Sequence, residues 1–253
     1  MKFTQEHYKY FEGSEFSTGY AFKLEDNPLR GRTQTILDIV RGKAVMHVGC
    51  CDHVGVIKEK IEGNTWLHGL LERECAKVVG IDINKDAVDY VNKNGFSKEK
   101  VFCADITSPD FFTAVPDIKV DYVLLGEIVE HVDNPVEFLS KMHSVMKNNI
   151  STGGGYIITV PNSFCFLRNK AYRQGTELVN TDHRYWFTPF TIAKVLYRAG
   201  IKPEELFFAS YSPMGANGAN KFTNYFFGCL SGFLRKAFRY KSFRGDQLII
   251  IGK

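Results

Sequence analysis

The sequence predicts an α/β protein with a doubly wound, mostly parallel sheet of seven strands, and two observations support this fold class. Short apolar runs rich in β-branched residues alternate with helical patterns from about residue 43 onward, which favours parallel strands covered by helices on both faces. The chain has 253 residues, of which 44% are hydrophobic and 24% charged, as is typical of a globular protein that buries its own core. A single domain over residues 1–253 is therefore the simplest division.

Apolar runs predict the seven strands, because each has the length of a buried strand and is bounded by turn or helix-start residues. The first five runs alternate with helical patterns. The last two come near the end of the chain and are separated by a long segment. In chain order the runs span 45–49, 77–83, 100–106, 121–126, 156–161, 204–211 and 246–252.

Helical patterns lie between and before these runs. Residues 85–94 place apolar side chains at helical spacing and are followed by Gly95, a residue type that commonly ends helices. An Asn-Pro-Val-Glu sequence predicts the start of a helix over 134–147, and Thr-Pro predicts the start of another over 188–200. One further helix, 33–40, is predicted near the N-terminus.

The positive charge is concentrated near the C-terminus. Between Leu206 and Gly245 there are six cations and no acidic residue, whereas the whole chain has a net charge of only +4. Residues 221–240 also carry aromatic side chains at helical spacing. This pattern predicts contact with an anionic partner, including a peripheral membrane face, or else a helix that packs on the domain or on a second subunit. The sequence leaves the oligomeric state open.

The remaining features predict a cytoplasmic protein. No apolar run is long enough to span a membrane, and the N-terminus lacks the apolar segment of a secretory signal. The cysteines form no C-x-x-C pair, so we expect reduced thiols rather than disulfides or a cysteine metal site. They are Cys50, Cys51, Cys75, Cys103, Cys165 and Cys229.

The loops after the first three strands carry residues suited to binding a nucleoside. Gly49 ends the first strand and permits a sharp turn and a close approach to a ligand. Cys51 and His53 occupy the positions of the further glycines in a G-x-G-x-x-G motif, which argues against a nicotinamide-dependent dehydrogenase. Asp82 and Asp105 end the next two strands, where one carboxylate would accept ribose hydroxyls and the other would lie at an adenine edge.

Five segments in this order resemble the motifs of the class I S-adenosylmethionine-dependent methyltransferases, although each alone also fits an ordinary turn or helix cap. The segments are HVGC (47–50), GIDI (80–83), ADI (104–106), LLGEIVEHVDNP (124–135) and GGYIITVPN (154–162). The resemblance covers roughly residues 43–210 and implies a Rossmann-like methyltransferase fold. It also implies S-adenosylmethionine as cofactor, with its methionine part against Gly49, its ribose on Asp82 and its adenine near Asp105.

The first loop departs from the usual pattern of that family, which is D-x-G-C-G-x-G. His47 replaces the aspartate, and Cys51 and His53 replace two glycines, so the cofactor contacts are expected to have an unusual shape. The cofactor-binding residues that the resemblance implies are His47, Gly49, Cys50, Asp82, Ile83, Ala104, Asp105, Ile106, Gly126 and Glu127.

The segment after the fourth strand carries Glu127, Glu130 and His131 on a loop above the sheet. This E-x-x-E-H sequence resembles the motif of ubiquinone-pathway O-methyltransferases and of small-RNA 2′-O-methyltransferases. In the latter, two carboxylates and two histidines hold a divalent ion, and the resemblance puts His183 of DHRYWFT in the place of the second histidine. It implies Mg²⁺ or Mn²⁺ on these four residues, where the ion would lower the pKa of a substrate hydroxyl.

The E-x-x-E-H motif also fits roles that involve no metal. In many small-molecule and sugar methyltransferases it is structural, with the glutamate capping a turn and the histidine forming a hydrogen bond. Without a metal, His131 or His183 would be the general base, so the catalytic candidates are His131, His183 and Glu130. Residues 163–187 and the N-terminal aromatics between Tyr8 and Tyr20 either cover the substrate or pack as ordinary core.

We therefore expect an O-methyltransferase acting on a small polar or phosphorylated metabolite, a sugar or a glycan precursor. The HVGC loop, residues 66–75 and DHRYWFTP resemble bacterial methyltransferases of surface-polysaccharide synthesis, which implies a role in capsule or surface-polysaccharide biosynthesis. One alternative is an RNA 2′-O-methyltransferase, although no separate RNA-binding domain is visible and nucleic acid is not the expected partner. The other is a non-catalytic protein that binds S-adenosylmethionine through its altered loop.

The chain divides accordingly into four parts. They are an N-terminal helical extension on the substrate side (1–42), a cofactor-binding core (43–211), a basic aromatic insertion (212–245) and the last strand (246–253).

Overall fold

The computed structural model describes residues 1–25, 29–52, 54–210 and 245–253, and these form an eight-stranded sheet with helices packed on both faces. The strands are β1 (Arg30–Gly31), β2 (Ala44–Val48), β3 (Lys77–Asp82), β4 (Phe102–Cys103), β5 (Val120–Gly126), β6 (Ile150–Pro161), β7 (Pro203–Ser210) and β8 (Gln247–Gly252). The helices are α1 (Gln5–Glu12), α2 (Arg32–Val40), α3 (Val54–Glu62), α4 (Leu67–Glu74), α5 (Lys85–Lys93), α6 (Phe111–Ala114), α7 (Pro135–Met146), α8 (Phe166–Arg173) and α9 (Pro189–Arg198), with a 3₁₀ turn at Val129–His131.

The strand order is β1-β7-β8-β6-β5-β2-β3-β4, in which β8 is antiparallel to both neighbours and the other pairs are parallel. The chain runs from β2 outward to β3 and β4 and then returns to form β5 on the other side of β2. The order therefore reverses between β2 and β5, where doubly wound sheets bind their ligands. The predicted doubly wound, mostly parallel sheet is confirmed.

The number of strands differs from the prediction, since the described residues form eight strands rather than seven. The additional strand is β1, whose two residues pair with Ala209 and Ser210 at the end of β7. Two residues contain no apolar run that a pattern could detect. The predicted strand 100–106 is shortened to β4, because only Phe102 and Cys103 pair with β3.

The helix starts agree with the predicted caps. The Asn134 side-chain oxygen accepts a hydrogen bond from the Glu137 amide at 3.2 Å, and the Thr188 hydroxyl accepts one from the Thr191 amide at 3.1 Å. Each bond satisfies an amide that has no partner within its helix. Five helices of the described residues lie where no helix was predicted, namely α1, α3, α4, α6 and α8.

The sheet separates the hydrophobic core into layers. Along β2, Met46 and Val48 belong to one cluster of buried side chains, while Val45 belongs to another. This alternation follows from the two-residue period of a strand. The strand β2 lies between β5 and β3 and is therefore buried on both faces.

The N-terminal residues pack along β7 and α9. Lys2 forms an antiparallel bridge with Glu205, and the Tyr8 hydroxyl donates to the Pro203 carbonyl at 2.7 Å. Phe11 is fully buried, with its ring 5.3 Å from that of Phe190. Tyr8 and Phe11 thus belong to the hydrophobic core.

The basic aromatic insertion connects β7 to β8 and, apart from residue 245, lies outside the described residues, as does His53. Within the described ranges, no helix has both the length and the apolar character needed to cross a bilayer. The described cysteines are free thiols, and Cys229 lies outside the described part of the chain.

Candidate active site

A cleft of about 1400 Å³ opens at the carboxyl ends of β2, β3 and β5, where the strand order reverses. Sites of this kind are the usual ligand sites of doubly wound sheets. All ten residues that the sequence assigns to the cofactor line this one cleft, together with His131. They are His47, Gly49, Cys50, Asp82, Ile83, Ala104, Asp105, Ile106, Gly126 and Glu127.

Two glycines keep the floor of the cleft open. Gly49 has φ +64°, and a Cβ at this position would lie 2.6 Å from Ile128 Cδ1. A Cβ on Gly126 would lie 2.7 Å from Arg32 Nη2. Any larger residue at Gly49 is strained both by its backbone conformation and by Ile128, so the close turn requires glycine.

Asp82 is a buried acceptor at the end of β3. Its two oxygens accept hydrogen bonds from the amides of Cys51 and Asn84, each at 2.9 Å. Burial raises the pKa of its carboxyl, and the amide hydrogen bonds oppose that rise. A carboxylate has about four acceptor positions, so acceptor capacity remains for ligand hydroxyls in the cleft.

Asp105 lies at the exposed end of the loop after β4. One of its oxygens accepts from both the amide and the hydroxyl of Thr107, each at 2.8 Å. This Asx turn orders the loop and uses only one of the two carboxylate oxygens. Asp105 therefore has a structural role, and its contact with the adenine stays a prediction.

Glu127 is held away from the other predicted metal ligands. It has φ +60°, and its Oε1 accepts from the Thr159 hydroxyl at 3.0 Å and lies 3.8 Å from Arg32 Nε. The Gln247 amide nitrogen, in the orientation that satisfies both groups, donates to Glu127 Oε1 at 2.7 Å. Burial raises the pKa of Glu127, and the Arg32 guanidinium lowers it.

Glu130, His131 and His183 come together beside the cleft. One potential ligand atom from each lies within 4.8 Å of the others, whereas Glu127 is not part of this group. The predicted set of four metal ligands is therefore corrected to three among the described residues. The physical reason is the left-handed backbone at Glu127, which turns its side chain toward Arg32 and Thr159.

Glu130 is fully buried, and within the described part of the chain neither of its carboxyl oxygens has a hydrogen-bond partner. The same holds for His183 Nδ1. Unpartnered buried polar atoms are rare and costly, so Glu130 and His183 are candidates for contact with a ligand. The rings of His131 and His183 meet edge to face, with centroids 4.6 Å apart.

Three contacts hold the His183 segment against the 3₁₀ turn and the residues that follow it. The Arg184 amide donates to the Glu130 carbonyl at 2.8 Å, and Arg184 Nε lies 2.6 Å from Asp133 Oδ1. The Tyr185 hydroxyl donates to the Asp133 carbonyl at 2.7 Å. These contacts bring two regions about 50 residues apart into one cluster.

The surroundings of the cluster raise the pKa of Glu130 and lower the pKa of His183. Burial, together with the charge of Glu127, raises the pKa of Glu130 to about 8. Burial and the neighbouring His131 and Arg168 lower the pKa of His183. Near neutral pH the cluster thus combines a protonated carboxyl with a neutral imidazole.

Three residues of the site had no sequence signal. Arg32, Thr159 and Gln247 surround Glu127, but they come from α2, β6 and β8. They are far apart in sequence from Glu127 and from one another, so no spacing marked them. Only the packing of the sheet brings them together.

The comparisons with known proteins agree with this geometry. Residues 62–153 match a family described as a methyltransferase domain. The ubiquinone biosynthesis O-methyltransferase of Thiobacillus denitrificans is 25% identical over 198 residues, which are 75% of this chain and 78% of that protein.

Solved structures share the fold. A methyltransferase dependent on S-adenosylmethionine from Archaeoglobus fulgidus has a TM-score of 0.52 and 19% identity, covering 88% of this chain and 91% of that one. One from Thermotoga maritima has a TM-score of 0.51 and 14% identity, covering 87% and 86%. A small RNA methyltransferase has a TM-score of 0.52 and 15% identity, covering 93% of this chain and 27% of that one.

The family match, the relative and the shared fold together confirm the prediction of a class I S-adenosylmethionine-dependent methyltransferase. S-adenosylmethionine is accordingly its methyl donor.

Proposed function

We propose that this class I S-adenosylmethionine-dependent methyltransferase transfers the methyl group to a hydroxyl of a small polar acceptor, a sugar or glycan precursor being the preferred class. The observation that carries the proposal is the Glu130 carboxyl, fully buried with both oxygens unpartnered beside His131 and His183. A hydroxyl must lose a proton during methyl transfer. These three titratable side chains lie together beside the cleft, and one of them could accept that proton.

The protein has little covalent chemistry to perform, because the sulfonium is already a good leaving group. It must align the acceptor oxygen with the methyl carbon, exclude water and remove a proton. His131 lines the cleft, so it is the member of the cluster nearest to a bound acceptor. His183 is positioned edge-on against it and can stabilise the proton that His131 takes up.

The cluster also fits a divalent cation. One carboxylate and two imidazoles would hold it, and the unpartnered oxygens of Glu130 and Nδ1 of His183 are suitable donors. With Glu127 engaged elsewhere, this donor set suits Mn²⁺ or a later ion better than Mg²⁺. When bound, such an ion would lower the pKa of the acceptor hydroxyl.

Two features support a sugar-like acceptor bound beside the cluster. The Arg168 guanidinium lies over the Trp186 ring at 4.2 Å, and that ring is 5.5 Å from the ring of His183. Phe164 and Phe166 are partly exposed on the same segment. Aromatic faces flanked by an arginine suit sugars and phosphate groups.

The O-methyltransferase named among the relatives supports oxygen as the methylated atom. The proposed role in surface-polysaccharide synthesis rests on the resemblance of the DHRYWFTP segment.

The test is a methyl-transfer screen with sugar nucleotides, phosphorylated metabolites and short RNAs, run after chelation and again with Mn²⁺. We expect turnover of a sugar-type acceptor that Mn²⁺ increases. His131→Ala should lower kcat while leaving the affinity for S-adenosylhomocysteine unchanged. His7→Ala, which alters a partly exposed histidine near the N-terminus, is the matched control.

Three other results of the screen would lead to different conclusions. Methylation of RNA alone would replace the acceptor with a nucleic acid. Full turnover after exhaustive chelation would leave His131 as a general base without a metal. Cofactor binding with no turnover of any class would favour a non-catalytic protein and overturn the proposal.

A further inference from the structure

In the methyltransferase family that this sequence resembles, the position of His47 usually carries an aspartate. His47 lies at the end of β2, lines the cleft and is 3% exposed. Behind it stands His68 of α4, with the two Nδ1 atoms 3.2 Å apart and the two rings stacked at 5.4 Å. A hydrogen bond between two imidazoles requires one ring to donate and the other to accept, so the tautomers of the pair are linked.

A chain of hydrogen bonds determines which ring donates. Ser97 donates its hydroxyl proton to Glu72 Oε1 at 2.6 Å, because a carboxylate accepts only. The Ser97 oxygen must then accept from His68 Nε2, which lies 3.3 Å away. His68 therefore carries its proton on Nε2 and presents a lone pair at Nδ1. His47 Nδ1 must donate to that lone pair, which leaves the lone pair of His47 on Nε2.

Two further observations agree with this assignment. Burial lowers the pKa of His47 well below its usual range and that of His68 to about 4, so both rings are neutral near pH 7. Gly80 pairs with His47 across β2 and β3, and a Cβ there would lie 2.5 Å from His68 Cε1. The neighbouring strand is thus shaped to admit the second imidazole.

We propose that Glu72, acting through Ser97 and His68, holds His47 in the tautomer whose Nε2 accepts a hydrogen bond from the α-ammonium group of the cofactor's methionine part. This rests on the confirmed cofactor class and on the placement of the methionine part against Gly49, two residues along the chain. Without His68, the ring would be free to carry its proton on Nε2 and would turn a donor toward a cation. His68 and Glu72 are positioning residues.

The first test needs no variant. Nitrogen-15 spectra of histidine-labelled protein distinguish a protonated ring nitrogen from one with a lone pair. We expect His47 to be protonated on Nδ1 and His68 on Nε2, both without and with S-adenosylhomocysteine. A proton on Nε2 of His47 would overturn the proposal.

The second test measures binding by calorimetry with S-adenosylhomocysteine and with the analogue that lacks its α-amino group. His68→Phe keeps a stacked ring but removes the acceptor for His47 Nδ1. Because a hydrogen bond to a charged group is lost, it should weaken S-adenosylhomocysteine binding about 10- to 150-fold. Binding of the deaminated analogue should stay within about twofold. An equal loss for both ligands would indicate a merely structural role and refute the proposal.

Ser97→Ala is a smaller change that interrupts the same chain of hydrogen bonds, and it serves if His68→Phe disturbs folding. It should move the His47 nitrogen signals toward a mixture of tautomers and reduce only the binding of the amino-containing ligand. His7→Phe, with no link to the pair, is the matched control. All readouts are binding and spectra, so a failure to find a hydroxyl acceptor would leave this test intact.

Discussion

Replacement of Glu130 by glutamine should make the protein more stable at neutral pH. In the folded state the pKa of this carboxyl is about 8, against an ordinary value of 4.5, because burial and the Glu127 charge disfavour ionisation. The folded state therefore holds the proton more tightly than the unfolded chain. Stability from this group is complete below about pH 4.5 and is lost as the pH rises through about 8.

The size of the effect follows from the two pKa values. Each pH unit between them corresponds to about 1.4 kcal/mol, so the wild-type protein should be about 3 kcal/mol less stable at pH 7 than at pH 4.5 through this group alone. Glu130→Gln has a similar shape but no ionisable proton. Its free energy of unfolding should equal that of the wild type near pH 4.5 and exceed it by up to about 3 kcal/mol at pH 7.

The assay is urea unfolding between pH 5 and pH 8, with chelator and without cofactor. The exposed Glu137, paired with Lys141 on α7, provides the control Glu137→Gln. Only the Glu130 variant should lose part of the pH dependence. An identical pH slope in Glu130→Gln and the wild type would show that the carboxyl is not protonated in the folded state and would refute the reasoning.

Three further predictions concern the metal ion, the cofactor and the turn at Gly49. Calorimetry of Mn²⁺ binding at pH 7 in two buffers should show proton release from the wild type and no binding by Glu130→Gln, since a ligating carboxyl must lose its proton. Asp82→Ala should weaken S-adenosylhomocysteine binding by about 1.5–3 kcal/mol, as for hydrogen bonds to a charged group, and unchanged affinity would exclude the ribose placement. Gly49→Ala should cost about 1–2 kcal/mol in thermal unfolding, because φ +64° strains a side chain, and an unchanged melting temperature would contradict the strain.

The centre of the fold was predictable because its signals are local. The strands around β2 are continuous apolar runs, and the caps at Asn134 and Thr188 lie next to the helices they start. The edges of the sheet were less predictable. The short strands β1 and β4 form through pairing with one neighbour, and such pairing leaves no period in the sequence.

The candidate site was likewise predictable only in part. The ten residues assigned to the cofactor line one cleft because they lie at or near strand ends, and the topology brings strand ends to one edge. Glu127 was assigned to the metal group by the resemblance of the E-x-x-E-H motif, but a motif does not specify backbone conformation. Its left-handed φ and its partner Arg32, distant in sequence, redirect the side chain. The His47–His68 pair was missed because a hydrogen bond between side chains of a strand and a helix has no sequence signature.

The place where the insertion joins the sheet has a consequence for how this enzyme can change over evolution. Ala209 and Gln247 are paired partners on antiparallel neighbours, so both ends of residues 211–244 are anchored side by side. Lengthening a connection whose ends are already joined costs little, about 0.6 kcal/mol for each doubling. Ser210 lines the cleft, and Gln247 contacts Glu127. Segments of different length and composition can therefore be exchanged at this point, beside the cleft, while the loops that follow β2, β3 and β4 stay unaltered.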